Sequence, residues 1–500
     1  MKSIMLVNLP ADDIRDNSFP LGLSYIAASL SSYYVEIADL NLISENTFFT
    51  MVCKEHHDII GISCYTGSFS IASDLAKKIK EIDSQCLIAI GGYHATAEFD
   101  YILNNYKEFD IAILGRGEIP LLELVKAIEN GTSFEKVPSI LYRKDNNVIR
   151  TNQVKMSLYD NLIPERKNES DYFSLSTGDE KISCISTMRG CCHNCYFCSI
   201  SNNEKQSFTL IDAIERDIEN IVKNGGNSLY FVNPDFLSNR ANVENTISVL
   251  DKYKEKIRSF KISTRADSIL RNADLLETIF RLGCNSIEVG IESFSDTQLK
   301  RYNKQVTADI NIKSYYEIMK FKDMYSFRYV HELIPFDPWV TRSELSKTLE
   351  FYAYNSFDYL ELEPWLFVKL ILYPNTMLRK RAESESIISF SHIETPFWNF
   401  VNEDVKKIYS ALMKYKMVVL PIVKELRKLI RRLMDSNDIS IHHKVIALKI
   451  RDKLAIITVS FLCELLDKNV LEYDSIVDNV LNTVNKYNDI IRREKCEGNH

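Results

Sequence analysis

The sequence predicts an α/β protein, because two series of short apolar strands alternate with amphipathic helices and a final stretch keeps helical periodicity alone. Strands alternating with helices give parallel sheets covered on both faces. The first series predicts a doubly wound, Rossmann-like domain over 1–145. The second predicts a partial (β/α)6 barrel of the TIM type over 181–382, after a linker over 146–180, and the last stretch a helical domain over 383–500. Five hundred residues are enough for three cores, since domains run to roughly 100–200 residues.

In the first series the strand-like runs are Ile4 to Val7, Val35 to Ala38, Ile59 to Ser63, Leu87 to Ile90 and Ile111 to Leu114. Helical patterns lie at Leu21 to Ser31, Ile71 to Ile82 and Leu121 to Glu129. In such a fold ligands bind at the loops after the strand ends, here SCYTGS (Ser63 to Ser68), GGYHAT (Gly91 to Thr96) and GRGE (Gly115 to Glu118). Glycines there admit a large ligand close to the backbone. They would equally serve plain βα turns, and no GxGxxG or Walker sequence accompanies them. From Tyr142 to Lys181 periodicity gives way to a polar stretch containing Pro164.

The second series has strands near Ser183 to Thr187, Ser228 to Val232, Lys261 to Thr264, Ser286 to Val289, Ser326 to Leu333 and Leu360 to Leu370. Helices at Leu210 to Lys223, Val243 to Tyr253, Ala273 to Leu282, Ile310 to Phe321 and Ser343 to Ala353 separate them. Chemistry in a barrel of this kind belongs at the C-terminal strand ends. Asp404 to Arg493 reads as helices, with apolar residues three and four apart.

Composition excludes several classes. Hydrophobic residues are 45% and charged residues 26% of the chain, which argues against disorder. A net charge of −7 with no Lys/Arg block argues against nucleic acid as a partner. The apolar run Leu454 to Cys463 falls short of the roughly 20 residues that span a bilayer. The start, MKSIMLVNLPADD, reads as a first strand and not a signal peptide. A cytoplasmic protein without a membrane partner is expected.

Eleven cysteines in a reducing compartment are not a disulfide framework. Seven are scattered, mostly in apolar surroundings that suit core packing: Cys53, Cys64, Cys86, Cys184, Cys284, Cys463 and Cys496. The other four crowd into STMRGCCHNCYFCSIS, where Cys191-x3-Cys195-x2-Cys198 puts three thiols on one tight loop after a strand. Three soft ligands suit zinc or an iron–sulfur cluster. A closed zinc site or an ordinary ferredoxin-type cluster takes four, so three would leave one iron open. His193 or Cys192 would complete a zinc site, and a non-catalytic metal-binding protein is then the alternative. Against it, a loop this short is poorly placed to turn four donors onto one ion, and there is no second Cys pair.

Cys-x3-Cys-x2-Cys with Phe197 before the last Cys, after the first strand of such a barrel, resembles the radical S-adenosylmethionine enzymes. The resemblance implies that Cys191, Cys195 and Cys198 hold a 4Fe-4S cluster whose open iron is chelated by S-adenosylmethionine, and that Cys192 is not a ligand. It implies reductive cleavage of S-adenosylmethionine to a 5′-deoxyadenosyl radical, with an electron donor such as flavodoxin or ferredoxin as partner. Within FVNPDF, Asn233 and Asp235 stand where relatives carry an acidic strand end, without the usual leading Asp. By the same resemblance Phe197, Asn233, Arg265 of STRAD, Glu292 of VGIES and Lys304 of RYNKQ contact S-adenosylmethionine. Surface ion pairs are the alternative for Arg265, Glu292 and Lys304.

PLGLSYIAASL, GGYHAT and GRGE, followed by the linker and the barrel, resemble the subgroup with a cobalamin-binding domain over Met1 to Arg381. That implies cobalamin contacts at Ser63, Thr66, Gly91, Gly92, His94, Gly115, Gly117 and Glu118. No Asp-x-His-x-x-Gly occurs, and Asn41 stands where that histidine follows Asp39, so cobalamin is expected without a lower-axial histidine from that motif. The activity implied is methylation of an unactivated carbon, or of a phosphinate centre, in a natural-product, peptide or cofactor precursor. Methylcobalamin would supply the methyl group, and two S-adenosylmethionines would be used. Epimerisation, cyclisation, ring contraction or dehydration without methyl transfer is the alternative within the superfamily. His331 and Glu332 are candidate proton handlers, of which strand alternation lets only one face inward. Cys463 is a conceivable hydrogen donor, with packing favoured. Trp339 and Trp365 are expected to pack the barrel, and His442 and His443 to be solvated.

Overall fold

The computed structural model describes residues 2–10, 19–144, 147–154, 159–173, 179–200, 205–355, 365–388, 397–417, 421, 458, 460–461 and 463–467. Its first seven strands form one sheet: β1 Ser3–Asn8, β2 Tyr34–Asp39, β3 Ile59–Ser63, β4 Leu87–Gly91, β5 Ile111–Ile113, β6 Ile140–Lys144 and β7 Asn147–Arg150. The order is β2-β1-β3-β4-β5-β6-β7, parallel through β5 and antiparallel beyond. Central strand β1 carries Ile4, Met5, Leu6 and Val7, all almost fully buried. Such a run is what a strand covered on both faces requires. Met5 and Val7 enter the core on one face, Ile4 and Leu6 the core on the other.

Two helices beyond those expected complete this domain. Glu45–Lys54 is capped by the Ser44 side chain, which accepts from the Thr47 amide. Tyr93–Asn105 begins inside GGYHAT, so that motif is a two-glycine turn followed by a first helical turn. The β6–β7 hairpin carries the sheet into the stretch expected to be linker.

The rest of that stretch is pinned down. A three-stranded sheet joins β8 Tyr159–Asp160, β10 Met188–Arg189 and β11 Ser207–Thr209. Arg166, almost fully buried, donates Nε and Nη2 to Asp217 (2.5 and 2.8 Å), Nη1 to Glu169 (2.5 Å) and Nη2 to the Cys184 carbonyl (2.9 Å). Phe19, Leu21 and Tyr25 from the first domain pack with Tyr172 and Cys184 in a small core between the domains.

The second large sheet is parallel, in the order β15-β14-β13-β12-β9. Its strands are β9 Ile182–Ile185, β12 Ser228–Phe231, β13 Ser259–Arg265, β14 Cys284–Glu292 and β15 Arg328–Leu333. The sixth expected strand, Leu360 to Leu370, is reduced among the described residues to a Phe336–Lys369 bridge, and 356–364 lie outside them. The outer face packs Leu229, Phe231, Phe260, Ile262, Ile287 and Val289 under the helices. A helix over 403–417 buries Val405, Ile408, Leu412 and Tyr415 in this same core, together with Phe461 and Leu465. Most of the expected helical domain, with His442, His443 and Cys496, lies outside the described residues. Trp339 belongs to the barrel core and Trp365 packs against it, as expected. No helix among the described residues is long and apolar enough to cross a membrane.

Arg166→Ala would leave Asp217 and Glu169 buried without their cation. Breaking a buried pair by removing one partner costs about 3–5 kcal/mol. A correspondingly earlier urea unfolding transition of the barrel, followed by tryptophan fluorescence, is expected.

Candidate active site

The thiol loop follows β9 and β10. Gly190 takes φ +67°, the left-handed turn that starts it. Cys195 is buried, Cys191 and Cys198 are half-buried, and Cys192 is exposed. The Cys198 amide bonds the Cys195 carbonyl at 3.2 Å, and the Tyr196 amide bonds the Tyr302 carbonyl at 2.9 Å. Phe197 meets Tyr302 edge-on at 5.5 Å, and Asn303 Nδ2 donates to the Asn194 carbonyl at 2.6 Å. The far side of the barrel thus holds the loop.

Both candidate fourth ligands are turned elsewhere. Cys192 faces solvent. His193 Nε2 lies 3.2 Å from Asp235 Oδ2, and Asp235 also accepts from Thr264 (2.8 Å), Ser268 (2.7 Å) and the Arg265 amide (3.3 Å). Burial opposes ionisation of Asp235, but these donors, His193 first, hold its carboxyl below the usual range. No three His, Cys, Asp or Glu side chains among the described residues converge as ligands of a single ion do. An iron–sulfur cubane presents separate irons to separate sulfurs and does not require such convergence. Three thiols on one loop, with Cys192 and His193 turned elsewhere, fit a cluster with an open iron.

Arg265, Glu292 and Lys304 converge beside this loop. Arg265 Nη1 lies 3.6 Å from Cys195 Sγ, its Nη2 donates to the Lys304 carbonyl (2.5 Å) and its Nε to Asp267 (3.0 Å). Lys304 Nζ donates to Glu292 Oε1 at 2.7 Å, and both side chains are buried. They form a buried cluster and not surface ion pairs. Glu292 takes φ +62° after a register shift in β14, an uncommon conformation for a non-glycine residue. Gly290 makes room for the pair, since a Cβ there would stand 2.9 Å from Lys304 Nζ and 3.0 Å from Glu292 Oε1. Burial pushes the Cys191 thiol up to about 11 and raises Cys195, where Lys304 and Arg265 pull the other way. Asn233 serves differently: buried, it accepts from the Thr187 amide (3.0 Å) and donates to Thr187 Oγ1 (2.8 Å), tying the end of β12 to that of β9.

The first sheet brings its predicted loops to one edge, because the order β2-β1-β3-β4-β5 places the crevice at the ends of β1 and β3. Gly115 (φ +70°) faces open space, and Thr96 Oγ1 holds its amide at 3.0 Å. Gly92 is needed for packing, since a Cβ would meet the Cys64 carbonyl at 2.6 Å, whereas one on Gly117 would meet only the end of the Ile26 side chain at 2.8 Å. Ser63 and Gly91 are half-buried at their strand ends. Thr66 and His94 turn inward: His94 is buried against Phe69, with Nδ1 3.4 Å from Thr66 Oγ1. An edge with open space at Gly115 and glycine backbone on either side fits a large flat cofactor, and His94 is not turned toward it. Asp39 accepts from the Asn41 amide and Nδ2 (2.8 Å each), Asn8 (3.0 Å) and Tyr172 (2.5 Å).

Glu118 points across to the barrel and pairs with Arg189, which also bonds Asp160 at 3.1 Å and stacks on Tyr25 at 3.8 Å. Arg116 reaches Ser207 at 2.6 Å and Asp160 at 3.6 Å. Sequence reasoning missed this network, although Arg189 stands two residues before Cys191. Of the two candidate proton handlers, His331 packs outward among Tyr329, Tyr352 and Phe294, and Glu332 occupies the inner face. Cys463 is half-buried.

Comparison with known proteins matches the B12 binding domain to residues 11–125 and the Radical SAM superfamily to residues 185–349. An uncharacterized methyltransferase of Pyrococcus horikoshii is 26% identical over 387 residues, 74% of this chain and 79% of that protein. The anaerobic magnesium-protoporphyrin IX monomethyl ester cyclase of Synechocystis sp. is 25% identical, covering 60% of this chain; the chain spans 63% of that relative. Among solved structures, the cobalamin-dependent S-adenosylmethionine radical enzyme OxsB superposes with a TM-score of 0.80 at 16% identity, over 100% of this chain and 80% of that one.

Glu332 titrates far from its ordinary range. Burial pushes its carboxyl up to about 8, aided by Glu292 and Glu288 and opposed by Lys304. With a free-chain value of 4.5, the folded protein keeps a proton there that the unfolded chain has lost. The associated stability is complete below the free-chain value and drains away as pH rises through about 8. Before S-adenosylmethionine is added, Glu332→Gln should therefore gain on the parent protein by about 1 kcal/mol or more between pH 5 and pH 8.5, as read from urea midpoints.

Proposed function

Because the chain belongs to the radical S-adenosylmethionine enzymes that carry a B12 binding domain ahead of the barrel, we propose that it methylates an unactivated carbon of a small-molecule or peptide precursor. The observation that carries this reading is the shared rim: the three thiols, the Arg265–Lys304–Glu292 group and the Glu118–Arg189 bridge from the first domain lie together at the barrel mouth. Bound there, the 4Fe-4S cluster and S-adenosylmethionine supply a 5′-deoxyadenosyl radical, and cobalamin a transferable methyl group.

The chain's own residues set the conditions for that chemistry. Cys191, Cys195 and Cys198 hold three corners of the cluster. Arg265 places positive charge against Cys195, where thiolate charge gathers on metal binding. Lys304 and Glu292 present a neutralised but polar pair to S-adenosylmethionine, held at the strand end by the Arg265–Lys304 carbonyl bond. Ser63, Gly91 and Gly115 line the cobalamin edge, and Glu118 and Arg189 keep it against the barrel. The Phe19, Tyr25 and Tyr172 core excludes water between the domains. An electron donor such as flavodoxin or ferredoxin, in a reducing cytoplasm, completes the reading. The cyclase among the relatives favours a second reading, radical cyclisation or rearrangement without methyl transfer.

Anaerobic reconstitution with cobalamin, S-adenosylmethionine and reductant separates the two. Deoxyadenosine together with S-adenosylhomocysteine is expected from methylation, deoxyadenosine alone from rearrangement. Zinc without iron or sulfide in the purified protein would remove both. Cys191→Ala, Cys195→Ala and Cys198→Ala should each abolish deoxyadenosine, and Cys192→Ala should leave it largely intact. Gly290→Ala, whose methyl would displace the Lys304–Glu292 pair, should weaken S-adenosylmethionine binding about tenfold, roughly 1.4 kcal/mol, by equilibrium dialysis.

A further inference from the structure

The inner face of the barrel is largely polar where its outer face is largely apolar. Residues in register on parallel neighbours share a face, and Arg265, Gly290 and Glu332 are in register across β13, β14 and β15. One level below stand Ser263, Glu288 and Val330, and below them Lys261, Ser286 and Arg328. Arg265 reaches Cys195, so this face leads to the thiol loop. Glu332 is therefore level with the thiol-contacting arginine, two strand spacings away, on the order of 10 Å.

Most polar groups on this face are committed. Glu288 accepts from Ser263 (2.9 Å) and Tyr230 (3.4 Å), Lys304 is paired with Glu292, and Arg265 is bound to Asp267 and the Lys304 carbonyl. Glu332 leans over Gly290, with Oε2 3.9 Å from where a Cβ would stand, and makes no hydrogen bond or ion pair among the described residues. It lies deep in the barrel yet keeps solvent-accessible surface, as do Tyr230, Lys261, Ser263 and Glu288. Depth with residual accessibility identifies the wall of a lumen. A buried carboxyl without a partner costs stability, and the cost is removed when a ligand donates to it.

We propose that Glu332 is a substrate-recognising residue, and that it receives an alkylammonium group of the substrate in the barrel lumen. The inference rests on the proposed radical reading and adds the substrate class to it. Charge selects a cation. The groups facing Glu332 are Glu288 and Glu292 from β14, Lys304 beyond them, Arg265, Ser263 and Lys261 from β13, Tyr230 from β12 and, two levels down its own strand at the exposed end, Arg328, while His331 faces the other way. Lys304 and Arg265 already serve other acceptors, and Lys261 makes no ion pair with either Glu288 or Glu332 among the described residues. An ammonium group there meets Glu332 and Glu288, two carboxyl groups with no cation of their own among the described residues, whereas a phosphate or carboxylate would gain no such pairing from them. The raised carboxyl of Glu332 supports the assignment, because an arriving cation favours its ionised form.

The test uses reconstituted holoenzyme with S-adenosylmethionine, and n-butylamine, n-butanol and butyrate as probes, read by calorimetry in two buffers of different ionisation enthalpy. Butylamine should bind at least tenfold more tightly than butanol and release a proton on binding. Glu332→Gln should lose the amine preference and the proton release together, and Glu332→Asp should retain part of both. Equal binding of amine and alcohol by the parent enzyme, preference for butyrate, or undiminished amine preference in Glu332→Gln overturns the proposal. The comparison of probes on the parent enzyme needs no variant to fold. Deoxyadenosine from that enzyme reports separately on the radical reading: indifference to amines in an enzyme that forms it overturns this inference alone, and failure to form it overturns the reading beneath.

Discussion

One half-buried cation joins the two halves of the site. Arg189 leaves the short strand that precedes the thiol loop, pairs with Glu118 at the head of a first-domain helix, bonds Asp160 and stacks on Tyr25. Its planar fork can satisfy two acceptors while its face covers a ring, which an ammonium on a flexible stem cannot do. The distance between the glycine edge and the thiols is thus set by a side chain two residues from the first thiol. Tyr172 on Asp39 and Arg166 on Asp217 and Glu169 fasten the same junction from behind. These contacts make the segment between the domains a structural part of the site and not a tether.

The fate of Asp39 explains an apparent gap in the sequence. In a motif that delivers histidine to a metal, a carboxylate orients the imidazole through its second nitrogen. Here Asn41 turns back on Asp39 with both its amide and its side chain, and Tyr172 and Asn8 take the other oxygen. The carboxylate is spent on holding the domains together, and nothing is left to orient a ligand. The one described histidine in the glycine loops, His94, is buried against Phe69. The loss of the histidine and the new duty of Asp39 are two sides of one arrangement.

Much of this was legible where chemistry and periodicity coincide. Three thiols in eight residues after a strand can sit only on one loop, and Arg265 and Glu292 each end a strand at the same rim, with Lys304 returning to it after the short helix Asp296–Arg301. The illegible parts have physical reasons. Arg116, Arg189 and Asp160 act singly from turns and two-residue strands, where no period marks a half-buried charge. The β6–β7 hairpin lies at a sheet edge, where one face is solvated and the apolar signal is weak. Alternation established that only one of His331 and Glu332 could face inward, but which one depends on the parity of β15 against β14, a register that tertiary pairing decides.

That register also accounts for the strain at the rim. A continuous β14 would place Glu292 in the regular alternation above Gly290. Instead the ladder shifts between Gly290 and Glu292, Glu292 takes a left-handed backbone, and Leu333 becomes its partner. The shift re-aims the carboxylate at Lys304 over a residue with no side chain to obstruct it. The bulge therefore divides three crowded carboxyl groups into two roles: one is neutralised at the rim, and Glu332 is left facing the lumen without a cation of its own.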